Sequence, residues 1–109
     1  MGNKMLATAL LTAAALLAVG CQQKAAGRVH RVEMNTTGFA PAEVTAAPGD
    51  TIVWANHDIV PHTATAAGQK FDSGAVPPGA EWSLVVREHG RIPYICTFHP
   101  TMKGVIVTP

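Results

Sequence analysis

Short segments rich in β-branched residues, separated by clusters of turn residues, run from residue 28 to the end of the chain. The clearest segment, residues 51–56, alternates so that Ile52 and Trp54 would share one face of a strand. Residues 80–87 alternate in the same way, and no stretch of this region has the spacing of a helix. The pattern predicts an all-β fold, a two-sheet Greek-key β-sandwich of seven or eight strands.

The expected strands can be placed along the chain from this alternation. Residues 37–41 break the pattern, and residues 68–79 are turn-rich, with Phe71 as their expected apolar anchor. The strands are expected at residues 28–34, 43–46, 51–56, 62–66, 80–87, 91–96 and 103–108.

The first twenty residues have the composition of an export signal. Lys4 supplies the positive charge near the start, and residues 5–19 form an apolar run rich in Leu and Ala. That run is shorter than the roughly 20 apolar residues that a membrane-spanning helix needs. We therefore predict that residues 1–20 are a signal peptide.

The end of this signal resembles a bacterial lipoprotein processing site, Ala18-Val19-Gly20-Cys21. In that case Cys21 becomes the lipidated N-terminus, and residues 21–27 tether the domain to the periplasmic face of a membrane. The alternative is an ordinary signal peptide cut near Ala25 or Ala26, which would leave the protein soluble in the periplasm. Both interpretations predict an exported protein whose folded domain spans residues 28–109.

The charge of the expected mature chain is balanced. Removal of Lys4 with the signal leaves seven of the eight Lys and Arg residues, against seven Asp and Glu. The sequence has no basic stripe, so we expect no nucleic-acid partner. We expect the domain to be a monomer.

The only cysteine of the folded domain begins a run of metal-binding side chains, Cys96, His99 and Met102, spaced three residues apart. On a straight strand these positions would spread over about 20 Å, whereas a curled loop lets them converge on one ion. Pro100 disfavours a helix here, and Gly104 lets the chain leave the loop. A thiolate, an imidazole and a thioether suit copper, and one more histidine would complete a blue-copper electron-transfer site.

His62 is the best candidate for that histidine, because Pro61 presents it rigidly at the start of an expected strand. Its rival is His57, five residues earlier, where His57-Asp58 has the character of an exposed loop tip. The weaker alternatives are His30 and His89, both expected to be solvated, and Met34 in place of Met102.

Several stretches resemble the cupredoxins, blue copper proteins of the plastocyanin, pseudoazurin and amicyanin type. The stretches are Ala47–Asn56, Pro61–Thr63, Pro78-Gly79 with Trp82-Ser83, and Tyr94–Gly104. The similarity covers nearly all of residues 28–109, and the short Cys-x-x-His-x-x-Met loop is most similar to amicyanin and pseudoazurin. The resemblance implies the cupredoxin fold and one copper ion per chain, ligated by His62, Cys96, His99 and Met102.

Three positions depart from the family pattern. Thr63 stands where an asparagine commonly ties the two ligand-bearing loops together, and Phe98 where a proline is frequent. Pro93 removes one hydrogen-bond donor from the strand that leads to Cys96 and indicates an edge or a bulge there. These changes leave the ligand set intact, but they affect the hydrogen bonding around the sulfur, which tunes the reduction potential.

The implied function is that of a one-electron carrier rather than an enzyme, since four protein ligands leave no position for a substrate. His99 is the expected electron port, with Pro61, Phe98 and Pro100 as an apolar rim for transient docking of redox partners. The alternative is a periplasmic copper-binding carrier or sensor that delivers or buffers copper. A cysteine-nucleophile enzyme is disfavoured because no Asn or Asp in the loop could orient the imidazole.

Overall fold

The computed structural model describes residues 27–109, together with Gly2, Ala13 and Ala14. The expected signal peptide, the lipidation site at Cys21 and the tether up to residue 26 fall outside this part, apart from those three isolated residues. Among the described residues, no helix is long and apolar enough to cross a membrane.

Within residues 27–109, eight strands form two four-stranded sheets. They are β1 (Val29–Asn35), β2 (Gly38–Ala40), β3 (Glu43–Thr45), β4 (Thr51–Asn56), β5 (Thr65–Ala66), β6 (Glu81–Val85), β7 (Gly90–Ile95) and β8 (Lys103–Thr108). The strand orders are β2-β1-β4-β6 and β3-β8-β7-β5. The β1–β4 and β3–β8 pairs are parallel, and the other pairs are antiparallel. The predicted all-β sandwich is confirmed.

Two short elements differ from the predicted strands. Residues 38–40, where the alternation breaks, form β2 because Phe39 is buried beside β1 and packs edge-on against Tyr94, with ring centroids 4.7 Å apart. In the expected strand at 62–66 only β5 joins a sheet, whereas His62 pairs with Val76 in an isolated bridge. Strands of three and two residues are too short for an alternation of buried and exposed positions to define their ends.

The core is an aromatic cluster between the sheets, centred on Trp54. Its ring centroid lies 5.4 Å from those of Trp82 and Tyr94 and 5.6 Å from that of Phe71. Phe71 is buried, as predicted for the anchor of the turn-rich segment. Gly104 faces Tyr94 across the β7–β8 ladder, and a Cβ at Gly104 would collide with the tyrosine ring. This close approach explains the glycine at the point where the chain enters β8.

At Pro93 the strand leading to Cys96 is open on one side. Pro93 pairs with Val105 of β8, but β5 on the other side of β7 reaches only Tyr94 and Ile95. The missing N–H of the proline therefore lies where the sheet has a local edge, which is the arrangement that its position in the sequence indicated.

Asp50 anchors the turn before β4, at the end of the strand remote from residues 57–62. Its carboxylate accepts hydrogen bonds from the backbone N–H groups of Arg28 and Ala47, each at 2.9 Å, and lies 2.8 Å from His30 Nε2. His30 is therefore a half-buried partner of Asp50 rather than a solvated side chain. The His30 hydrogen bond, followed by those from Ala47 and Arg28, lowers the pKa of Asp50 to about 2.

The low pKa of Asp50 predicts a stability difference that depends on pH. Its pKa in the folded chain lies below the ordinary value of 3.8, so its contribution is present above about pH 4 and is lost as the pH falls toward 2. Asp50→Asn should lower the thermal unfolding midpoint at about pH 6 and match the unaltered protein near pH 2. Glu88→Gln, at an exposed carboxylate, is the control. If Asp50→Asn lowered the unfolding midpoint by the same amount at pH 6 and at pH 2, the low pKa of Asp50 would be contradicted.

Candidate metal centre

The loop between β7 and β8 is closed by its own backbone. Cys96 N–H donates to Met102 O at 3.0 Å, His99 N–H to Cys96 O at 3.2 Å, and Met102 N–H to His99 O at 2.8 Å. The three residues of the Cys-x-x-His-x-x-Met run are therefore tied to one another directly. The chain does curl here, as the spacing of the run required.

His62 reaches this loop from the segment that precedes β5, and β5 pairs with β7, the strand that leads into the loop. Its backbone exchanges two hydrogen bonds with Val76, at 3.2 and 2.8 Å, and its side chain is buried. His57 is exposed, and Met34 is completely buried in β1. The cleft beside the loop is lined by His62, His99 and Met102, and by neither His57 nor Met34.

The donor atoms of His62, Cys96 and His99 all lie within 4.8 Å of one another. Cys96 Sγ is 3.7 Å from His62 Nδ1 and 3.8 Å from His99 Nδ1. Bonds of about 2.3 Å to a thiolate and about 2.0 Å to an imidazole, at roughly 120°, separate sulfur and nitrogen by about 3.7 Å. The residues thus fit a single metal ion without rearrangement.

Met102 borders the same cleft as His62 and His99, a space of about 450 Å³. Its side chain is buried, and Gly38, with a φ of 128°, lies behind it. A Cβ at Gly38 would be 3.9 Å from Met102 Cγ. A thiolate, two imidazoles and an adjacent thioether together form a donor set that suits copper.

The surroundings of Cys96 favour its thiolate form. Burial would raise the pKa of this completely buried thiol, but hydrogen bonds from the Thr63 N–H and from His99 and His62 outweigh burial and lower the pKa to about 6. The thiolate is the form that binds a metal. The site is therefore electrostatically prepared for a cation.

Asp58 is a site residue that the sequence analysis missed. Its Oδ2 lies 2.7 Å from His62 Nε2, and both side chains are buried. The predicted exposure of His57-Asp58 is confirmed for His57, whereas for Asp58 it is wrong, because Asp58 is buried. A carboxylate on the outer nitrogen of a ligating histidine fixes the ring orientation and makes the ring a better donor. Because the two residues lie in a loop, nothing in the sequence indicated this contact.

Asn56 holds this carboxylate in place. Its side-chain amide donates to the carbonyls of Val60 and Val76, both at 2.9 Å, and its Oδ1 accepts the Asp58 N–H at 2.8 Å. Asn56 is buried at the end of β4, so the strand fixes the loop that carries Asp58. Nothing in the sequence analysis indicated this role of Asn56.

Several exposed apolar side chains lie near His99, in a cleft that Asn35 and Thr101 also line. His99 itself is exposed, and so are the predicted rim residues Pro61, Phe98 and Pro100. Two further apolar side chains of the 57–61 loop are exposed but were not predicted as part of this rim, Ile59 at 89% and Val60 at 39%.

Comparison with known proteins identifies the family. The family model described as a cupredoxin-like domain matches residues 7–108 of this chain. Amicyanin-alpha of Methylorubrum extorquens is 34% identical over 114 residues, an alignment covering 93% of this chain and 87% of the relative.

Solved structures agree with that relationship. The Cu(I) form of an amicyanin variant superposes with a TM-score of 0.69 at 26% identity, covering 81% of this chain and 87% of the other. A purple cupredoxin from Nitrosopumilus maritimus shares the fold, with a TM-score of 0.69 at 23% identity, over 73% of this chain and 99% of the other. Since the family model spans almost the whole chain and the donor set fits one copper ion, the chain belongs to the cupredoxin-like family, with copper as its cofactor.

Proposed function

We propose that the protein is a type 1 (blue) copper electron carrier that exchanges single electrons with redox partners outside the cytoplasm. The observation that carries this proposal is the placement of Cys96 Sγ 3.7 and 3.8 Å from the Nδ1 atoms of His62 and His99. Copper supplies the one-electron couple between Cu(II) and Cu(I). The amicyanin relatives support the same class of function.

The proposed ligands are His62, Cys96, His99 and Met102, and the chain holds their segments rigidly. Hydrogen bonds to Val76 and Asp58 fix His62, while the closed loop fixes the other three. Donors that barely move between oxidation states keep the reorganisation small, which favours fast electron transfer. Four protein donors also leave no position for a substrate, so we propose a carrier and not an enzyme.

His99 is the proposed electron port. It is the exposed residue of the three-donor group, whereas His62 and Cys96 are buried. The surrounding apolar residues, Ile59 and Phe98 above all, would dock a partner over the ring edge. A small apolar contact suits brief electron-transfer encounters, and a mature charge near zero predicts little dependence on salt.

Copper delivery is the second candidate function. The exposed His99 and the cleft beside Met102 would give an incoming sulfur ligand access to the ion. Slow metal loss together with a reversible potential supports electron transfer, whereas rapid handover of Cu(I) to another protein supports delivery.

Export and membrane attachment form the cellular part of the proposal. Signal peptide 1–20 would bring the chain out of the cytoplasm, and a lipid on Cys21 would anchor it. In a bacterial host, the unaltered protein should partition with membranes and incorporate labelled palmitate, and Cys21→Ala should abolish the labelling. An unaltered protein that is unlabelled and soluble in the periplasm would contradict lipidation and support cleavage near residue 25.

A visible spectrum tests the copper site. Addition of Cu(II) to the protein should produce an intense blue thiolate-to-copper charge-transfer band, and Cys96→Ser should abolish it. His57→Ala is the matched control and should keep the band, because His57 lies outside the donor group. A colourless protein, or one that binds only Zn(II), would contradict the proposed function.

The Asp58 carboxylate predicts a change in reduction potential. Asp58→Asn removes a negative charge 2.7 Å from His62 Nε2, and that charge stabilises the more positive oxidised state. The potential should rise by on the order of 60 mV, a tenfold change for one electron. Glu88→Gln removes an exposed charge outside the site, so the reduction potential measured by voltammetry should change little. Equal shifts in the two variants would show that net charge is responsible, not the contact with His62.

A further inference from the structure

The single tyrosine of the chain and both of its tryptophans, Tyr94, Trp54 and Trp82, pack together in the core. Phenol and indole rings are the aromatic side chains that give up one electron to a strong oxidant. We propose that these three residues form a second electron path, through which the reduced copper site repairs an indole radical produced at Trp82. The proposal rests on the proposed function and goes beyond it, because the oxidant is a small radical and not a docked redox protein.

The two tryptophans are cross-strand partners. Trp54 of β4 pairs with Trp82 of β6, and their ring centroids lie 5.4 Å apart at an interplanar angle of 34°. Strand β6 is the outer strand of its sheet, and Trp82 is half-buried there, whereas Trp54 is completely buried. A small oxidant in solution can therefore reach the outer ring of the pair but not the inner one.

Tyr94 connects Trp54 to the ligand loop. The ring centroids of these two residues lie 5.4 Å apart, and the rings meet edge-on at 88°. Tyr94 precedes Cys96 by two positions, and both side chains are buried on the inner face. Residues two apart on a strand are separated by about 7 Å. Each step from the half-buried indole to the copper-binding thiolate is therefore short.

The surroundings of Trp54 favour the passage of an electron without a proton. Its Nε1 is buried, and no carboxylate or imidazole among residues 27–109 hydrogen-bonds to it. An oxidised Trp54 therefore keeps its N–H proton, and one electron restores the ring. Phe71 packs beside both indoles, with centroids 5.6 Å from Trp54 and 6.0 Å from Trp82. Its phenyl ring is much harder to oxidise, so it shields the pair without taking the charge.

One electron moves along the path, and no bond forms or breaks. The oxidant takes an electron from Trp82, which then takes one from Trp54. Trp54 is restored by an electron from the Cu(I) ion, passed through Cys96 and Tyr94. Both indoles end as they began, the oxidant is reduced by one electron, and copper becomes Cu(II). A redox partner at His99 would return the site to Cu(I). Only an oxidant stronger than an oxidised indole starts this sequence, so ordinary exchange at His99 does not use it.

Pulse radiolysis with azide radicals, which remove one electron from accessible indoles, tests the path. In the Cu(I) protein, the absorption of the indole radical should decay while the blue band of the Cu(II) site rises at the same rate, at every protein concentration. In the Zn(II)-loaded protein, whose metal has no electron to give, the indole radical should last several-fold longer.

Three variants locate the path. Trp82→Phe should lose the indole radical signal, because Trp54 is out of reach of the oxidant. Trp54→Phe should keep the signal, but its decay and the matching rise of the blue band should become several-fold slower. Phe71→Leu is the matched control, since it alters the same cluster without removing an oxidisable ring, and it should behave like the unaltered protein.

The outcomes separate this proposal from the proposed function. An indole radical that lasts equally long in the Cu(I) and Zn(II) forms would overturn the path and leave the electron carrier intact. A Trp54→Phe protein with an unchanged rate would also overturn it. If Trp54→Phe does not fold, a blue band that rises at the unaltered rate in Trp82→Phe overturns the path. An unaltered protein that never becomes blue contradicts the proposed function itself.

Discussion

The metal centre depends on three backbone hydrogen bonds that close the loop of residues 96–102. The bond from Cys96 N–H to Met102 O continues the β7–β8 ladder beyond its last pair, Ile95 with Lys103, so that the sheet itself ends in the site. The approach of these strands depends on Gly104, which leaves room for the Tyr94 ring. The aromatic core thus packs against the same strand pair that leads into the ligand loop.

The second half of the site is built on the opposite sheet. Strand β4 ends at Asn56, which fixes the loop carrying Asp58, and Asp58 in turn orients His62. The loop that carries the thiolate is thus closed within one sheet, whereas the loop that carries Asp58 is fixed by a strand of the other. Thr63 joins the two directly through its contacts with Cys96 and Thr97. Such a site can keep one geometry in both oxidation states, which is the physical requirement for a carrier of single electrons.

Local patterns in the sequence predicted much of this arrangement. The two-residue alternation around Trp54 revealed a strand because burial on one face repeats over six residues. The spacing of Cys96, His99 and Met102 required a curled loop, because no straight element brings these positions together. The three residues of β2 were missed because Phe39 is their single buried anchor.

The remainder depends on contacts between distant segments. Nothing local marks Asp58 as buried, since its burial follows from hydrogen bonds with Asn56 and His62 after folding. Thr63 was recognised as a departure from the family pattern, but its tie to Thr97 spans 34 positions. The exposure of Ile59 likewise follows from the fold of its loop. A single sequence indicates the metal-donor residues by their chemistry. The residues that hydrogen-bond to those donors can be identified only from the three-dimensional structure.

Electron self-exchange between two copies of the protein tests the central claim most directly. NMR spectra of the Cu(I) protein would be recorded while a small fraction of the Cu(II) form is added. The proposed electron carrier, with a rigid site and a port at His99, predicts that signals of residues near the copper broaden in proportion to the added fraction, because the electron passes rapidly between molecules. Separate, unbroadened signals for the two forms, together with rapid transfer of Cu(I) to added apoprotein, would contradict an electron carrier and favour copper delivery.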